Sequence, residues 1–187
     1  MIARYLTVAN QLTILRIVLI PAFVLLVVYG HLGAALLAFM VAGLTDALDG
    51  LIARAAHQRT SLGAWLDPMA DKLLLVSTFI VLTLPQIPLA NHLPLWLTVI
   101  AISRDVVIVG VVAIVNLAVG PRTFKPSIWG KLTTATFIIT TIAVMYFNYL
   151  HEQSLIVQVL IWLSLTFTLI SAADYFVRMR RLVNAAE

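Results

Sequence analysis

Thr45-Asp46-Ala47-Leu48-Asp49-Gly50-Leu51-Ile52-Ala53-Arg54 is followed, after eight residues, by Gly63-Ala64-Trp65-Leu66-Asp67-Pro68-Met69-Ala70-Asp71-Lys72. Asp46 and Asp49 are three apart and Asp67 and Asp71 four apart, so each pair shares one face of a helix. Apolar sequence flanks both stretches, from Leu32 to Leu44 on one side and from Leu73 to Leu84 on the other. The solvent around these runs therefore decides what the four acids mean. On a water-facing surface they would be ordinary solvated charges.

Composition identifies that solvent as lipid. The chain has 187 residues, of which 62% are hydrophobic and 11% charged, with a mean hydropathy of +1.05. Soluble domains carry about 25% charged residues, and 12 Lys and Arg with 8 Asp and Glu cannot cover a water-exposed surface of this size. A soluble globular enzyme, a secreted disulfide scaffold and a disordered chain are excluded. With no cysteine, iron–sulfur clusters, thiolate zinc sites and cysteine nucleophiles are excluded as well. A net charge of +4 alone would fit a nucleic-acid partner, but the positions of the cations argue for a membrane instead.

A helix needs about 20 mostly apolar residues to cross the hydrocarbon core, and six candidate spans occupy nearly the whole chain: 11–29, 33–55, 62–84, 94–118, 127–148 and 154–176. One all-α, polytopic membrane domain over 1–187 is expected. Breakers stand between the spans: Gly30 and Gly33, Pro85 through Pro94, then Gly120-Pro121 and Pro126. The first apolar run has no cleavage pattern after it and reads as a retained helix. Arg4, the Arg54–Arg59 turn, Arg122, Lys125 and Lys131, and the Arg178, Arg180 and Arg181 cluster alternate with three connectors that hold no Lys or Arg. The positive-inside rule then places both termini and the 54–62 and 119–126 turns in the cytoplasm.

Ionisable groups inside spans are costly and mark function by default. Measured from a turn near 57–60, both acid pairs lie at one depth, about 15 Å in at the helical rise, so four carboxylates face one helix–helix seam. A lone membrane acid could pair with Arg16 or Arg104 and merely hold helices together, a reading open for Asp105 and Asp174. For the four together, too few cations lie at that depth to neutralise them. Bare anions at close range in a low-dielectric site repel strongly, which a divalent cation relieves. Oxygen-only ligands favour Mg²⁺, Mn²⁺ or Ca²⁺ over zinc. Gly50, Ala53 and Gly63 lack bulk and allow a ligand to approach, and Arg54, one turn beyond Gly50, is placed to clamp a phosphate.

The pattern Asp46-x-x-Asp49-Gly50-x-x-Ala53-Arg54, eight residues, Gly63-x-x-x-Asp67-x-x-x-Asp71 resembles the signature of the CDP-alcohol phosphotransferase family. Asn10-Gln11-Leu12-Thr13-Ile14-Leu15-Arg16 with Pro21 is similar to that family's first-helix pattern. Lys125-Pro126-Ser127 with Gly130-Lys131 and Thr134 is similar to the start of its fifth helix, although Phe137 and its neighbours are apolar where a Gln often stands. The resemblance implies a six-helix enzyme, usually a homodimer, that displaces CMP from a CDP-linked lipid with an acceptor hydroxyl. It implies that Asp46, Asp49, Asp67 and Asp71 hold two ions, Mg²⁺ or Mn²⁺, and that Asp71 is also the general base. Gly50, Ala53 and Arg54 would contact the cytidine diphosphate, with Gly63 shaping the same pocket. CDP-diacylglycerol is the donor it implies, with the active site facing the cytoplasm of an integral membrane protein, in the inner or plasma membrane if the source is bacterial.

The acceptor is less sharply written. Ile102-Ser103-Arg104-Asp105-Val106 with the acidic stretch looks most like two branches, one using glycerol-3-phosphate and one using phosphatidylglycerol. The basic start of the fifth helix tips the expectation towards glycerol-3-phosphate, with Arg104 and Lys131 as acceptor-binding cations; Arg104 and Asp105 can equally be a packing pair. A cation transporter or channel is a rival reading, but it would spread its acids along a pore, and no inverted repeat is visible. A membrane prenyltransferase also binds metal diphosphate, yet has no call on Gly50, Ala53 and Arg54 at these offsets. His31, His57, His92 and His151 are expected in solvent. Trp65, Trp96 and Trp129 are expected at the interfaces and Trp162 deeper, while Pro21 and Pro68 are expected to bend their helices.

Overall fold

The computed structural model describes the backbone over residues 8–55, 61–119 and 127–184, and side chains over 11–45, 69–110 and 127–178. Six helices follow one another: α1 (Val8–Val28), α2 (Leu32–Ala55), α3 (Ser61–Thr83), α4 (Leu95–Val119), α5 (Ile128–Tyr149) and α6 (Leu155–Asn184). Each coincides with an expected span to within three residues, except that α6 runs on to Asn184. Apolarity ends at the membrane surface but helicity does not. Arg is a good helix former, and Arg178 Nε lies 2.9 Å from Asp174 Oδ2 one turn back. Among the described residues, three helices are long and apolar enough to cross a membrane, Gln11–Val28, Ile128–Tyr149 and Leu155–Arg178.

Side chains are distributed inside out relative to a soluble fold. Val18, Leu37, Leu155 and Val159 are exposed, while Thr13, Thr78, Thr133, Thr140, Ser164 and Ser171 are fully buried. With lipid as solvent, apolar groups lose nothing by facing outward, and small or hydroxylated residues let helices approach closely. Many hydroxyls are satisfied on their own helix: Thr78 Oγ1 donates to Leu74 O at 2.7 Å and Thr168 Oγ1 to Ser164 O at 2.6 Å.

The chain forms two compact units, Met1–His92 with Val144–Gln153, and Leu93–Ala143 with Ser154–Glu187. In the first, α1 packs against both α2 and α3. The α1–α2 turn closes with Gly30 at φ 77°, its N–H donating to Val27 O and that of His31 to Leu26 O, the capping pattern that favours glycine. The α5–α6 turn repeats it with His151 at φ 57°. Gly33 lies so close to Tyr149 that a Cβ there would stand 2.9 Å from the ring.

A second tie joins the segment after α3 to the end of α5. Buried Asn148 accepts from the Asn91 N–H at 2.6 Å and donates from Nδ2 to Asn91 O at 2.9 Å, while Asn91 Nδ2 donates to Glu152 O at 2.7 Å. His92, expected in solvent, is instead half-buried with Nε2 3.0 Å from Ile87 O, because the proline-rich segment folds back on itself. His31 and His151 are exposed as expected, and His57 lies outside the described residues.

In the second unit α4 contacts α6, and α5 and α6 share a hydroxyl seam. Thr140 Oγ1 and Ser164 Oγ are 2.8 Å apart, and Thr133 Oγ1 donates to Phe167 O at 3.0 Å. Trp162 packs against Trp96 with the rings tilted by 36° and their centroids 5.5 Å apart.

Candidate active site

One acidic pair lies towards the C-terminal end of α2 and the other towards the N-terminal end of α3. Asp49 lies six residues before Ala55 at the end of α2, and Asp67 six residues after Ser61 at the start of α3. Asp46 and Asp71 lie farther in on the same helices, and Gly50, Ala53 and Arg54 occupy the last turns of α2. Each pair is thus carried by its own helix. Side chains from 46 to 68, hence those of Asp46, Asp49, Arg54 and Asp67, lie outside the described residues, as do the positions of Gly50, Ala53 and Gly63 within the pocket. Among the described residues no group of three or more His, Asp or Glu gathers.

Asp71 is the acid the structure describes. It is half-buried, next to fully buried Ala70 and exposed Lys72. Helical periodicity sets this contrast: Ala70 and Leu74, four apart, are both buried. Asp71 stands at the edge of that buried stripe, so its carboxylate is partly exposed. The donor set suits a hard divalent ion, since all four candidate ligands are carboxylates with no soft atom among them.

In the second unit Arg104 is nine-tenths buried. Its Nη1 donates to Asp105 Oδ1 at 3.0 Å and its Nη2 to Ser171 Oγ at 3.0 Å. Arg104 and Asp105 thus form an ion pair, and Asp174 pairs with Arg178. Gly130 makes room for the guanidinium, for a Cβ there would stand 3.2 Å from Arg104 Nη2. Ser127 caps α5, its Oγ accepting from the Gly130 N–H at 3.2 Å. Lys131, one residue on, is exposed in the first turn of α5.

Ser171, Gly130 and the cap at Ser127 were not singled out by sequence as partners of one another. A Ser after Pro126 and before an apolar run is a readable cap signal; a serine 67 positions from its arginine gives none.

A cavity of about 470 Å³ opens between α4 and α6, walled by Val99, Val107, Leu169, Tyr175 and Phe176, with Arg104 contributing to its lining.

Helices long and apolar enough to span a bilayer, with acids concentrated on two consecutive helices, define an integral membrane protein. The chain belongs to the CDP-alcohol phosphatidyltransferase family, whose model matches residues 6–170. It is 35% identical to a probable phosphatidylglycerophosphate synthase of Mycobacterium tuberculosis, over 96% of this chain and 84% of that one. It is 35% identical to human cardiolipin synthase (CMP-forming), over 95% of this chain and 63% of the human protein. A Bacillus subtilis CDP-diacylglycerol–glycerol-3-phosphate 3-phosphatidyltransferase is 31% identical, over 89% of this chain and 92% of its own length.

Proposed function

We propose that the chain transfers a phosphatidyl group from CDP-diacylglycerol to a hydroxyl of glycerol-3-phosphate, releasing CMP, and so acts as a phosphatidylglycerophosphate synthase. The observation that carries this is the paired-acid hairpin, complete in all eight motif positions from Asp46 to Asp71, in a chain matched by the family model from end to end of that motif. Relatives named for this activity support it.

In this reading Asp46, Asp49, Asp67 and Asp71 hold two divalent ions, Mg²⁺ or Mn²⁺. When bound, such ions neutralise the bridging and leaving oxygens of a diphosphate. The residues do the rest. Asp71, half-buried and so neither sealed off nor fully hydrated, takes the proton from the acceptor hydroxyl. The hydroxyl oxygen bonds to the phosphorus that carries diacylglycerol, the bond from that phosphorus to the bridging oxygen breaks, and CMP leaves with that oxygen. Gly50 and Ala53 admit the cytidine diphosphate, Gly63 shapes its pocket, and Arg54 clamps a phosphate. Arg104 and Lys131 recognise the acceptor's phosphate; Arg104 Nε has no hydrogen-bond partner among the described residues.

The lipid half of the donor and the water-soluble CMP demand an interfacial site. The distribution of basic residues puts its mouth, both termini and the basic turns on the cytoplasmic side of six spans, in the plasma or inner membrane if the source is bacterial. The chain works as one domain and as a homodimer.

One observation favours a second reading, cardiolipin synthesis with phosphatidylglycerol as acceptor. The cavity beside Arg104 is walled almost wholly by apolar side chains, a setting suited to an acyl chain and superfluous for glycerol-3-phosphate. Incubating the purified protein with CDP-diacylglycerol, Mg²⁺ and either acceptor, then weighing the lipid product by mass spectrometry, decides between them. No CMP release with any acceptor would overturn both.

A further inference from the structure

Arg16 lies in the middle of α1, 0% exposed, and has the largest side chain among the fully buried residues. A buried guanidinium requires an anion or a full set of acceptors. The register of α1 against α2 shows which acids are level with it. Phe23 and Phe39 touch, ring centroids 6.0 Å apart, which fixes the two antiparallel helices relative to one another. Equal steps from that pair bring Val27 level with Ala35 and Ile20 level with Ala42, all of them buried. The same steps bring Arg16 level with Asp46, and fully buried Thr13 level with Asp49. The α2 positions 35, 39 and 42 are spaced four and three apart, and 46 and 49 continue that stripe.

Asp105 pairs with Arg104 and Asp174 with Arg178, both in the second unit. Glu152 is exposed in the α5–α6 turn, and Glu187 is the last residue. Within the first unit the acids left are the quartet on α2 and α3, and α1 packs against both of those helices.

We propose that Arg16 is a positioning residue of the acidic site, a fixed cation level with Asp46 that orients its carboxylate for a divalent ion. This rests on the function proposed above and extends it, making α1 part of the apparatus rather than a passive span. One fixed positive charge cannot balance four carboxylates, so the need for divalent ions remains. What the guanidinium adds is direction. A carboxylate held through one oxygen presents the other to the metal, and losing such supporting contacts typically costs about 10–100-fold in metal affinity or activity.

The test titrates Mn²⁺ alone into purified protein and follows the thermal midpoint, then measures the Mn²⁺ dependence of CMP release. Arg16→Met should fold, need about 10–100-fold more Mn²⁺ for the same rise in midpoint, and show the same displacement in its activation curve. Arg16→Lys should recover part of the loss. Added to Asp46→Asn, Arg16→Met should cause little further loss. Wild-type Mn²⁺ curves in Arg16→Met, or full additivity with Asp46→Asn, would overturn the proposal. If Arg16→Met cannot be purified, Arg16→Lys carries the test, and an unshifted Mn²⁺ curve in it overturns the proposal equally. A wild-type protein with neither a Mn²⁺ response nor CMP release would instead sink the functional reading itself.

Discussion

Two polar regions of this chain lie within lipid-facing helices and resolve the same problem differently. Along α5 and α6, hydroxyls satisfy one another and their own backbones: Thr140 bonds Thr136 O and Ser164 Oγ, and Thr133 bonds Trp129 O and Phe167 O. On α2 and α3 the sequence sets four carboxylates, Asp46, Asp49, Asp67 and Asp71, within otherwise apolar helices. A hydroxyl is both donor and acceptor, so a seam of hydroxyls closes on itself. Carboxylates only accept, so a cluster of them stays incomplete until something positive arrives. Polar groups that complete themselves hold helices together, whereas those that cannot are open to chemistry.

The sharpest way to break that contrast is to remove what completes the acids. Chelation with EDTA should abolish turnover, and Mg²⁺ or Mn²⁺ should restore it. Asp71→Asn should leave a folded protein whose turnover falls at least about a hundredfold, the lower range of what a general base supplies. Near-normal CMP release from that variant, measured under saturating metal, would take the proton-accepting role from Asp71.

The next effect is smaller and concerns Arg104, a cation that mixes the two patterns, half completed by Asp105 and Ser171. Gly130→Ala puts a methyl group 3.2 Å from Nη2, tighter than ordinary contact, without deleting any charge. If Arg104 reads the acceptor's phosphate, KM for the acceptor should rise several-fold while KM for CDP-diacylglycerol stays level. An equal change in both would reduce Arg104 to a packing residue.

These two regions also differ in how far the sequence exposes them. The six helices were readable because lipid imposes a length of apolar chain on each one, and the four acids because they interrupt that apolarity at helical spacing. Arg54, Gly50 and Ala53 stand at fixed offsets from the acids, and the side chains of Arg54 and Ala53 lie outside the described residues. Contacts across long separations were not. Nothing local to Asn91 announces Asn148, 57 positions on, and the burial of His92 follows from a fold of the proline-rich segment that no periodicity encodes. The burial of Arg16 had a signal, a charge amid an apolar run, but its register with Asp46 emerges only once Phe23 is seen against Phe39.

The asparagine tie tests the self-completing pattern at its most exacting, since it satisfies a backbone N–H as well as a side chain. Asn148→Ala leaves the Asn91 N–H and carbonyl without their partners. Stranding buried polar groups costs about 1–3 kcal/mol each, so the variant should unfold measurably earlier in detergent while its turnover at low temperature stays near wild type. A selective loss of turnover with an unchanged thermal midpoint would show that this clasp serves the reaction and not the fold.

The smallest effect belongs to the hydroxyl seam. Thr140→Val keeps the shape of the side chain and removes the contact to Ser164. Interhelical hydrogen bonds in membrane proteins average only about 0.6 kcal/mol, because alternatives are available in the unfolded reference state as well. The single variant should therefore lower the thermal midpoint slightly, and the paired change Thr140→Val with Ser164→Ala should cost little more, since removing both partners strands neither. Turnover should be unaffected in both. If the pair loses activity while keeping its stability, the seam is not closed on itself, and the line drawn between self-satisfied hydroxyls and ligand-seeking acids would have to move.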